Sequence, residues 1–269
     1  MPLLLKPVPA LQGARWLSDG FRLFGKHPLA FSVLLVAFLI SALALSLLPL
    51  LGSVLVVAAL PLLSLGFMIA SEAALSGKPI HPGCFLAPLK GNAERRKRQL
   101  ALCLAYGAAT VLVMLVSDAI DDGKFEKLQR LMGQGGQATE VEALLRDPQL
   151  FWGVVCRFGL IAALSVPFWH APALVHWGDQ GPAQALFSST LAVWRSRGAF
   201  AVYLLSWLGI IVAFGVTTAL LAGLFSVREM AGVLVLPSVL IFSTVFYVSL
   251  LFTFHDSFGG SSLGPQAAP

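Results

Sequence analysis

Long apolar runs separated by short polar segments dominate the pattern of this chain. Between His27 and Glu72 there are 44 residues without one Lys, Arg, Asp or Glu. As a single helix this stretch would measure roughly 66 Å, about twice the hydrocarbon thickness of a bilayer. It must therefore fold back on itself, and the pattern predicts an all-α, polytopic membrane protein with about six transmembrane helices.

The boundaries of the spans follow from charges and helix breakers. We expect a turn near Pro49 to Ser53, a kink at Pro61, and a helix start at Asp147 and Pro148, as N-cap and first helical residue. The predicted spans are 29–50, 54–75, 99–117, 150–174, 198–227 and 231–254.

Composition supports one membrane domain and nothing beside it. The residues AVILMFWYC make up 57% of the chain and DEKR only 12%, whereas soluble domains carry about 25% charged residues. We expect a single transmembrane domain over 1–260 and a disordered tail over 261–269. We attribute the net charge of +5 to an excess of Lys and Arg in the cytoplasmic loops rather than to a nucleic-acid-binding surface.

The loops fall into two sets of opposite charge. Segments 1–28, 72–98, 175–197 and 255–269 hold 12 Lys or Arg and 5 Asp or Glu, whereas 117–149 and 228–229 hold 5 and 8. By the positive-inside rule the first set is cytoplasmic, with the run Arg95 to Arg98 as its strongest signal. The sequence therefore predicts that both termini are cytoplasmic.

An internal repeat organises the spans. Ahead of the first span the apolar residues Leu17, Phe21 and Phe24 lie on one helical face, and Phe187, Leu191 and Trp194 repeat that spacing at an offset of 170 ahead of the fifth. A weaker version at Phe85, Leu86 and Leu89 precedes the third span. The pattern predicts three transmembrane hairpins, each introduced by a cytoplasmic interfacial amphipathic helix. The competing interpretation is that any cytoplasmic junction collects aromatic and basic residues.

We place the three units at 10–75, 84–176 and 183–255. The second unit carries an insertion, 117–149, in which the spacing of Phe125, Leu128 and Met132 predicts one short helix. Thr139-x-x-Glu142 predicts the capping box of a second. This insertion is expected to form a helical cap on the outer face.

A resemblance rests on the segment Trp16 to Phe31, its echo Phe187 to Ala201, and the loop Gly77 to Pro79. In these the chain resembles an uncharacterised family of six-helix proteobacterial inner-membrane proteins. More loosely it is similar to the membrane regions of some glycerophosphodiester phosphodiesterases, without any motif of their catalytic domain. The resemblance implies a multi-pass protein of the bacterial inner membrane, and it implies no activity.

Few ionisable residues fall within or beside the spans, and these are the candidate functional residues: Arg157, Asp118, Glu72 and His170. Arg157 is expected to pair with Asp118, to line a polar cavity, or to extend to the outer interface. Glu72 could join His170, His176 and His255 in a proton or metal site, with interfacial hydrogen bonding as the alternative. Asp118, Asp121 and Asp122 could hold a divalent cation or form a solvated acidic loop.

No P-loop, GxSxG, HExxH or paired-acid arrangement occurs in the sequence. We therefore predict no catalytic residue, no cofactor and no metal ion, and a non-enzymatic accessory, assembly or envelope-maintenance factor. The alternative is a transporter or lipid-handling protein that uses a groove between the hairpins near Arg157. The expected partners are membrane lipids and other membrane proteins, and not nucleic acid.

Overall fold

The computed structural model describes residues 5–49, 51–90, 92–135, 137–224 and 228–259, with the backbone alone at 222–224 and 228–234. All α-helices and 3-10 turns in these ranges are packed into one helical fold without a described strand. The α-helices are α1 (Gln12–Lys26), α2 (Pro28–Ser46), α3 (Gly52–Ala58), α4 (Leu60–Leu75), α5 (Ala93–Asp121), α6 (Lys124–Gly133), α7 (Ala138–Leu145), α8 (Pro148–Phe168), α9 (Ala171–Gly178), α10 (Pro182–Arg195), α11 (Arg197–Leu224) and α12 (Arg228–Ser257).

Six stretches of these helices are long and apolar enough to cross a membrane. They are Pro28–Ser46, Gly52–Leu75, Ala93–Asp121, Pro148–Gly178, Arg197–Leu221 and Val235–Ser257. α2 ends at Ser46 and α3 begins at Gly52, on either side of the predicted turn, and α4 begins one residue before Pro61, where the kink was expected. The predicted tail 261–269 and the side chains of Arg228 and Glu229 lie outside the described residues.

The third span starts earlier than predicted. α5 begins at Ala93, because the side chain of Asn92 accepts a hydrogen bond from the Glu94 backbone N–H at 2.6 Å and so caps the helix. The basic run Arg95 to Arg98 is thus the first turns of the helix rather than a loop. We call the end of the bundle that carries this run the basic end, and the opposite end, where α6 and α7 lie, the cap end.

The apolar core is concentrated toward the basic end. α2 contributes from its first half (Phe31, Leu34 and Leu35), and α12 contributes mainly from its second half, including Leu251 and Phe254. Toward the cap end the spans expose aliphatic side chains, among them Ile40, Leu112 and Leu220. The buried apolar contacts among the spans therefore lie mainly toward the basic end.

α1 packs its apolar face on the bundle. Trp16 is fully buried against Phe200 and Tyr203 of α11, with ring centroids 5.1 and 6.0 Å away. A Cβ at Gly13 would lie 2.0 Å from the Ala199 carbonyl oxygen, so only glycine permits this approach. Leu17 and Phe21, which the sequence assigns to a membrane surface, pack in the same cluster against residues of α11 and α12.

The repeat in sequence is not a repeat in packing. α10 buries the small residues Ala185, Ser189 and Ala192, while Phe187 and Trp194 of its aromatic stripe are 69% and 68% exposed. Ahead of α5 the expected amphipathic α-helix is absent from the described residues, which form two 3-10 turns, Pro82–Phe85 and Ala87–Leu89. Pro82, Gly83 and Pro88 explain this, because glycine and proline disfavour a longer α-helix.

The cap consists of α6 and α7, as expected for two short helices. The predicted capping box is wrong, because α7 begins at Ala138 with Gln137 as its N-cap and no side-chain cap bond. Glu142 instead accepts a hydrogen bond from Arg146 one turn later, at 2.6 Å. Asp147 and Pro148 start α8 as predicted, with Asp147 accepting from the Gln149 N–H at 2.8 Å.

Candidate functional site

Two spans are interrupted at prolines. Pro61 lies at the start of α4 directly after the break at Ala59, and Pro167 precedes the break between α8 and α9. Proline lacks the N–H that the i→i−4 ladder needs, and its ring clashes with the preceding turn. Interrupted helices within a membrane are tolerated where the freed backbone is buried in protein or lines a cavity.

A pocket of about 130 Å³ lies beside both interruptions, and we call it the central pocket. Its walls come from α4, α5, α8 and α12, so all three sequence units contribute to it. The lining residues are Leu60, Pro61, Ser64, Tyr106, Ser165, Phe168, Trp169, Phe246, Tyr247 and Leu250. None of these carries a formal charge at neutral pH.

The walls of the central pocket are aromatic and carry a few hydroxyl groups. Tyr106 packs edge-on against Phe168, with ring centroids 5.0 Å apart, and Tyr247 stacks on Phe67 at 5.4 Å. The hydroxyl of Ser64 donates to the Pro61 carbonyl at 2.9 Å, and that of Ser165 to the Ile161 carbonyl at 2.9 Å. The arrangement suits an apolar or weakly polar group, and it offers no nucleophile beside a base.

Arg157 lies elsewhere, in a cluster that fastens the cap to the bundle. Its guanidinium pairs with Asp118, lies 3.6 Å from Asp121 Oδ2, and covers the ring of Phe125 at 4.2 Å from the centroid. The Arg157 side chain is 11% exposed and that of Asp121 is fully buried. We call these four residues the cap clamp.

The clamp depends on a close helix crossing. α8 approaches α5 so closely that a Cβ at Gly153 would lie 2.3 Å from Asp121 Cβ. Asp121 also accepts the Gly123 backbone N–H at 2.9 Å, which fixes the turn into α6. The pairing of Arg157 with Asp118, one of the expected outcomes, is thus present, and the cation is occupied by carboxylates of its own chain.

A second ion pair joins the cap to the start of α8. Lys124 Nζ lies 2.5 Å from Asp147 Oδ2 and 2.8 Å from Gln149 Oε1. The hydrogen bond from Lys124 is the main cause that lowers the pKa of Asp147, and the bond from the Gln149 backbone N–H lowers it further.

The lowered pKa makes this contact sensitive to acid. A carboxylate with a depressed folded-state pKa contributes stability above its unfolded pKa and loses it as the pH falls through the folded value. We expect the thermal midpoint of the wild type to exceed that of Asp147→Asn at neutral pH and the difference to shrink below about pH 4. Asparagine caps a helix as well as aspartate does, so this variant removes the charge and keeps the cap.

Thermal unfolding in detergent micelles at a series of pH values checks this prediction. Asp122→Asn is the control, because Asp122 is exposed and has no ion pair among the described residues. An equal response of both variants would contradict the assignment of the acid sensitivity to Asp147.

The remaining candidates lie at the basic end and are only partly brought together. His255 Nε2 lies 3.2 Å from Glu72 Oε2, which joins α12 to α4. His170 is fully buried elsewhere, 3.0 Å from the Thr253 hydroxyl, and its backbone N–H donates to Ser189 at 3.0 Å. Across the described part of the chain, no three His, Cys, Asp or Glu side chains converge as a metal site requires.

Sequence reasoning missed the central pocket and Asp256. Pro61 and Pro167 were a usable signal for the pocket, because interrupted spans mark binding sites in many membrane proteins. Asp256 accepts hydrogen bonds from Trp16 Nε1 at 2.7 Å and Gln12 Nε2 at 2.8 Å. Trp16 and Asp256 are 240 positions apart, and no pattern in a single sequence predicts a contact at that separation.

Comparison with known proteins gives one clear relative. The chain is 28% identical over 263 residues to a probable inner membrane protein of Burkholderia thailandensis, covering 97% of this chain and 96% of that protein. No protein-family model matches the chain, and no solved structure matches it. The relative and the six apolar spans together support an integral protein of the inner membrane. The looser resemblance to phosphodiesterase membrane regions stays a prediction.

Proposed function

We propose that this protein is a non-enzymatic inner-membrane protein that binds the apolar part of a lipid or another amphiphile in the central pocket. The observation that carries the proposal is the position of the pocket, beside two proline-interrupted spans and between side chains of all three units. The groove that the sequence suggested was placed near Arg157, whereas the lining of the central pocket does not include Arg157.

The chemistry of the lining limits what the central pocket accepts. An uncharged wall in a membrane offers nothing to compensate a buried ion, so the bound group is neutral. A cavity of about 130 Å³ is close to the roughly 150 Å³ of an apolar cavity that holds one benzene. The pocket therefore takes a ring or part of a chain, and the rest of the ligand extends into the bilayer.

Filling the pocket tests the proposal. In Ser64→Leu the larger side chain occupies the cavity, and we expect the retention of amphiphile to fall by at least about tenfold, which corresponds to roughly 1.4 kcal/mol. The measurement is native mass spectrometry of the full-length protein, purified from its membrane in a mild detergent, with the copurified amphiphiles identified and counted.

Ser41→Leu is the matched control. Ser41 also bonds to its own helix, donating to the Ala37 carbonyl at 2.8 Å, but it is exposed on α2 and does not line the central pocket. We expect this variant to retain amphiphile as the wild type does. Absence of a retained amphiphile from the wild type, or equal retention by all three proteins, would contradict the proposal.

The cap favours a second function, that of an accessory or envelope-maintenance factor acting by contact. The cap clamp and the Lys124–Asp147 pair hold α6 in place, while no residue of α7 is buried. A fixed scaffold with an exposed helix is suited to a protein partner. In this proposal membrane lipids and other membrane proteins are the partners, nucleic acid is not, and the contact is made without catalysis.

We further propose that both termini face the cytoplasm and that the cap faces away from it. The support is the charge distribution along the sequence, since segments 1–28, 72–98, 175–197 and 255–269 together hold 12 Lys or Arg against 5 acidic residues. With this orientation the cap is available to partners in the envelope.

A further inference from the structure

The loop after α4 holds the backbone of Lys78 in a defined turn. Gly77 has φ +68°, its N–H bonds to the Ala74 carbonyl at 3.1 Å, and the N–H of Lys78 bonds to the Ala73 carbonyl at 2.8 Å. This is a Schellman motif, in which a glycine in the left-handed conformation ends the helix. Pro79 then restricts the backbone of Lys78, because the residue before a proline is confined to extended conformations.

Lys78 lines a cleft of about 380 Å³ between the start of α2 and the end of α4. Its other lining residues are His27, Ala30, Ala74, Gly77, Pro79 and Ile80. The cleft is about 15 Å along α4 from the central pocket, taking Ser64 and Ala74 as the nearest lining residues and 1.5 Å per residue. The two cavities are therefore separate sites.

The charge of the cleft is positive. Lys78 has no ion-pair partner in the described part of the chain, and no acidic side chain lines the cleft. Lys26 and His81 adjoin it in sequence. The acid on α4 nearest in sequence to the cleft, Glu72, is 3.2 Å from His255. A lysine ammonium and an imidazole N–H are both donors suited to phosphate oxygens.

The cleft also lies where two spans leave the hydrocarbon. The first span begins at Pro28 and the second ends at Leu75, so His27 and Lys78 lie just beyond the apolar spans, where we expect the headgroups. Alanine and isoleucine side chains line the part of the cleft beside the helices. Basic pockets between membrane helices are known sites for anionic lipid headgroups.

We propose that this cleft binds the phosphate of an anionic phospholipid, with Lys78 and His27 as the contacting side chains and the acyl chains beside Ala30 and Ala74. The site is independent of the central pocket, so either proposal can fail without the other. Free inorganic phosphate shares the headgroup chemistry, but it gains nothing from the apolar wall or from the membrane level of the cleft.

The test is a native mass spectrometry titration of the full-length, delipidated protein with phosphatidylglycerol, phosphatidylcholine or inorganic phosphate. We expect the wild type to prefer phosphatidylglycerol and Lys78→Gln to bind it about fivefold more weakly, the ratio that one interfacial lysine provides. Ala30→Met fills the cleft without changing its charge, and we expect it to weaken the binding of phosphatidylglycerol as well.

Lys97→Gln is the matched control, because Lys97 is an exposed lysine of the basic end that does not line the cleft. We expect its affinity for phosphatidylglycerol to stay within about twofold of the wild type, since a distant charge is screened. Equal losses in Lys78→Gln and Lys97→Gln would mean diffuse attraction and would overturn the site. Binding of inorganic phosphate as tight as that of phosphatidylglycerol would overturn the lipid assignment.

Discussion

Replacing Arg157 with leucine is expected to destabilise the protein by about 3 to 5 kcal/mol, the cost of removing one partner from a buried ion pair. In this variant Asp121, whose side chain is fully buried, loses the cation 3.6 Å from its Oδ2 atom. The loss of the cation–π contact with Phe125 adds to this, because Phe125 belongs to α6. We therefore expect the cap to detach from α8 before the bundle unfolds.

The measurement is reversible unfolding in mixed detergent micelles, combined with limited proteolysis of 122–147. Arg130→Leu is the matched control, because Arg130 is likewise an arginine in an ion pair. Its partner is Glu126 of the same helix, α6, at 2.7 Å, and its side chain is 65% exposed. An exposed pair contributes about 0 to 1 kcal/mol. Equal effects of the two variants would show that burial does not govern the clamp.

A compensating variant separates the buried charge from the packing. In Arg157→Leu combined with Asp118→Asn and Asp121→Asn no unpaired carboxylate is left beside the apolar side chain. Since much of the penalty arises from the orphaned charge, we expect this triple variant to recover at least about half of the lost stability. A triple variant as unstable as Arg157→Leu would refute the electrostatic account.

Replacing Trp16 with alanine is expected to cost about 3 to 5 kcal/mol and to release α1 from the bundle. The indole is fully buried between Phe200 and Tyr203, and such large-to-small changes leave a cavity that the surroundings only partly fill. The change also removes one of the two side-chain donors that hold Asp256, at 2.7 Å. The loss is measured by the same micelle unfolding.

Two variants bracket this result. Trp16→Phe keeps an aromatic ring and removes only the indole N–H, so we expect a smaller loss of about 1.5 to 3 kcal/mol, typical of a hydrogen bond to a charged group. Trp194→Ala removes the tryptophan of α10, which is 68% exposed, and is expected to leave unfolding nearly unchanged. Similar losses for Trp16→Ala and Trp194→Ala would contradict the buried position of α1.

The different packing of α1 and α10 shows where the repeat in sequence stops predicting structure. The offset of 170 matches Leu17, Phe21 and Phe24 of α1 with Phe187, Leu191 and Trp194 of α10, and the period of an α-helix puts each set on one face. The period does not say what that face meets. α1 has glycines at 13 and 20 that admit α11 and α12 against its stripe, whereas α10 packs through Ala185, Ser189 and Ala192 on another face.

The candidate site was partly within reach of the sequence. Arg157 stood out because a charge inside an apolar run is costly and needs a partner, and Asp118 was an acid at the end of the neighbouring span. His170 and Glu72 have different partners, Thr253 and His255, and the spacing of residues along the sequence does not show this without the packing of the helices. Nothing in the sequence distinguishes Tyr106, Trp169 and Tyr247 from other residues of the apolar runs, and only the fold shows that they line one pocket.

The sequence by itself determined the six spans, a distortion of the second span at Pro61, the start of α8 at Asp147 and the charge asymmetry of the loops. These are local properties, set by the free energy of transferring about 20 consecutive side chains into hydrocarbon and by proline and capping chemistry. The tertiary structure decided which face of α1 is buried, how the cap is fastened and where the central pocket lies. Within a bilayer every apolar face is equally soluble in lipid, so hydropathy cannot rank the possible neighbours, and shape complementarity and polar contacts select among them.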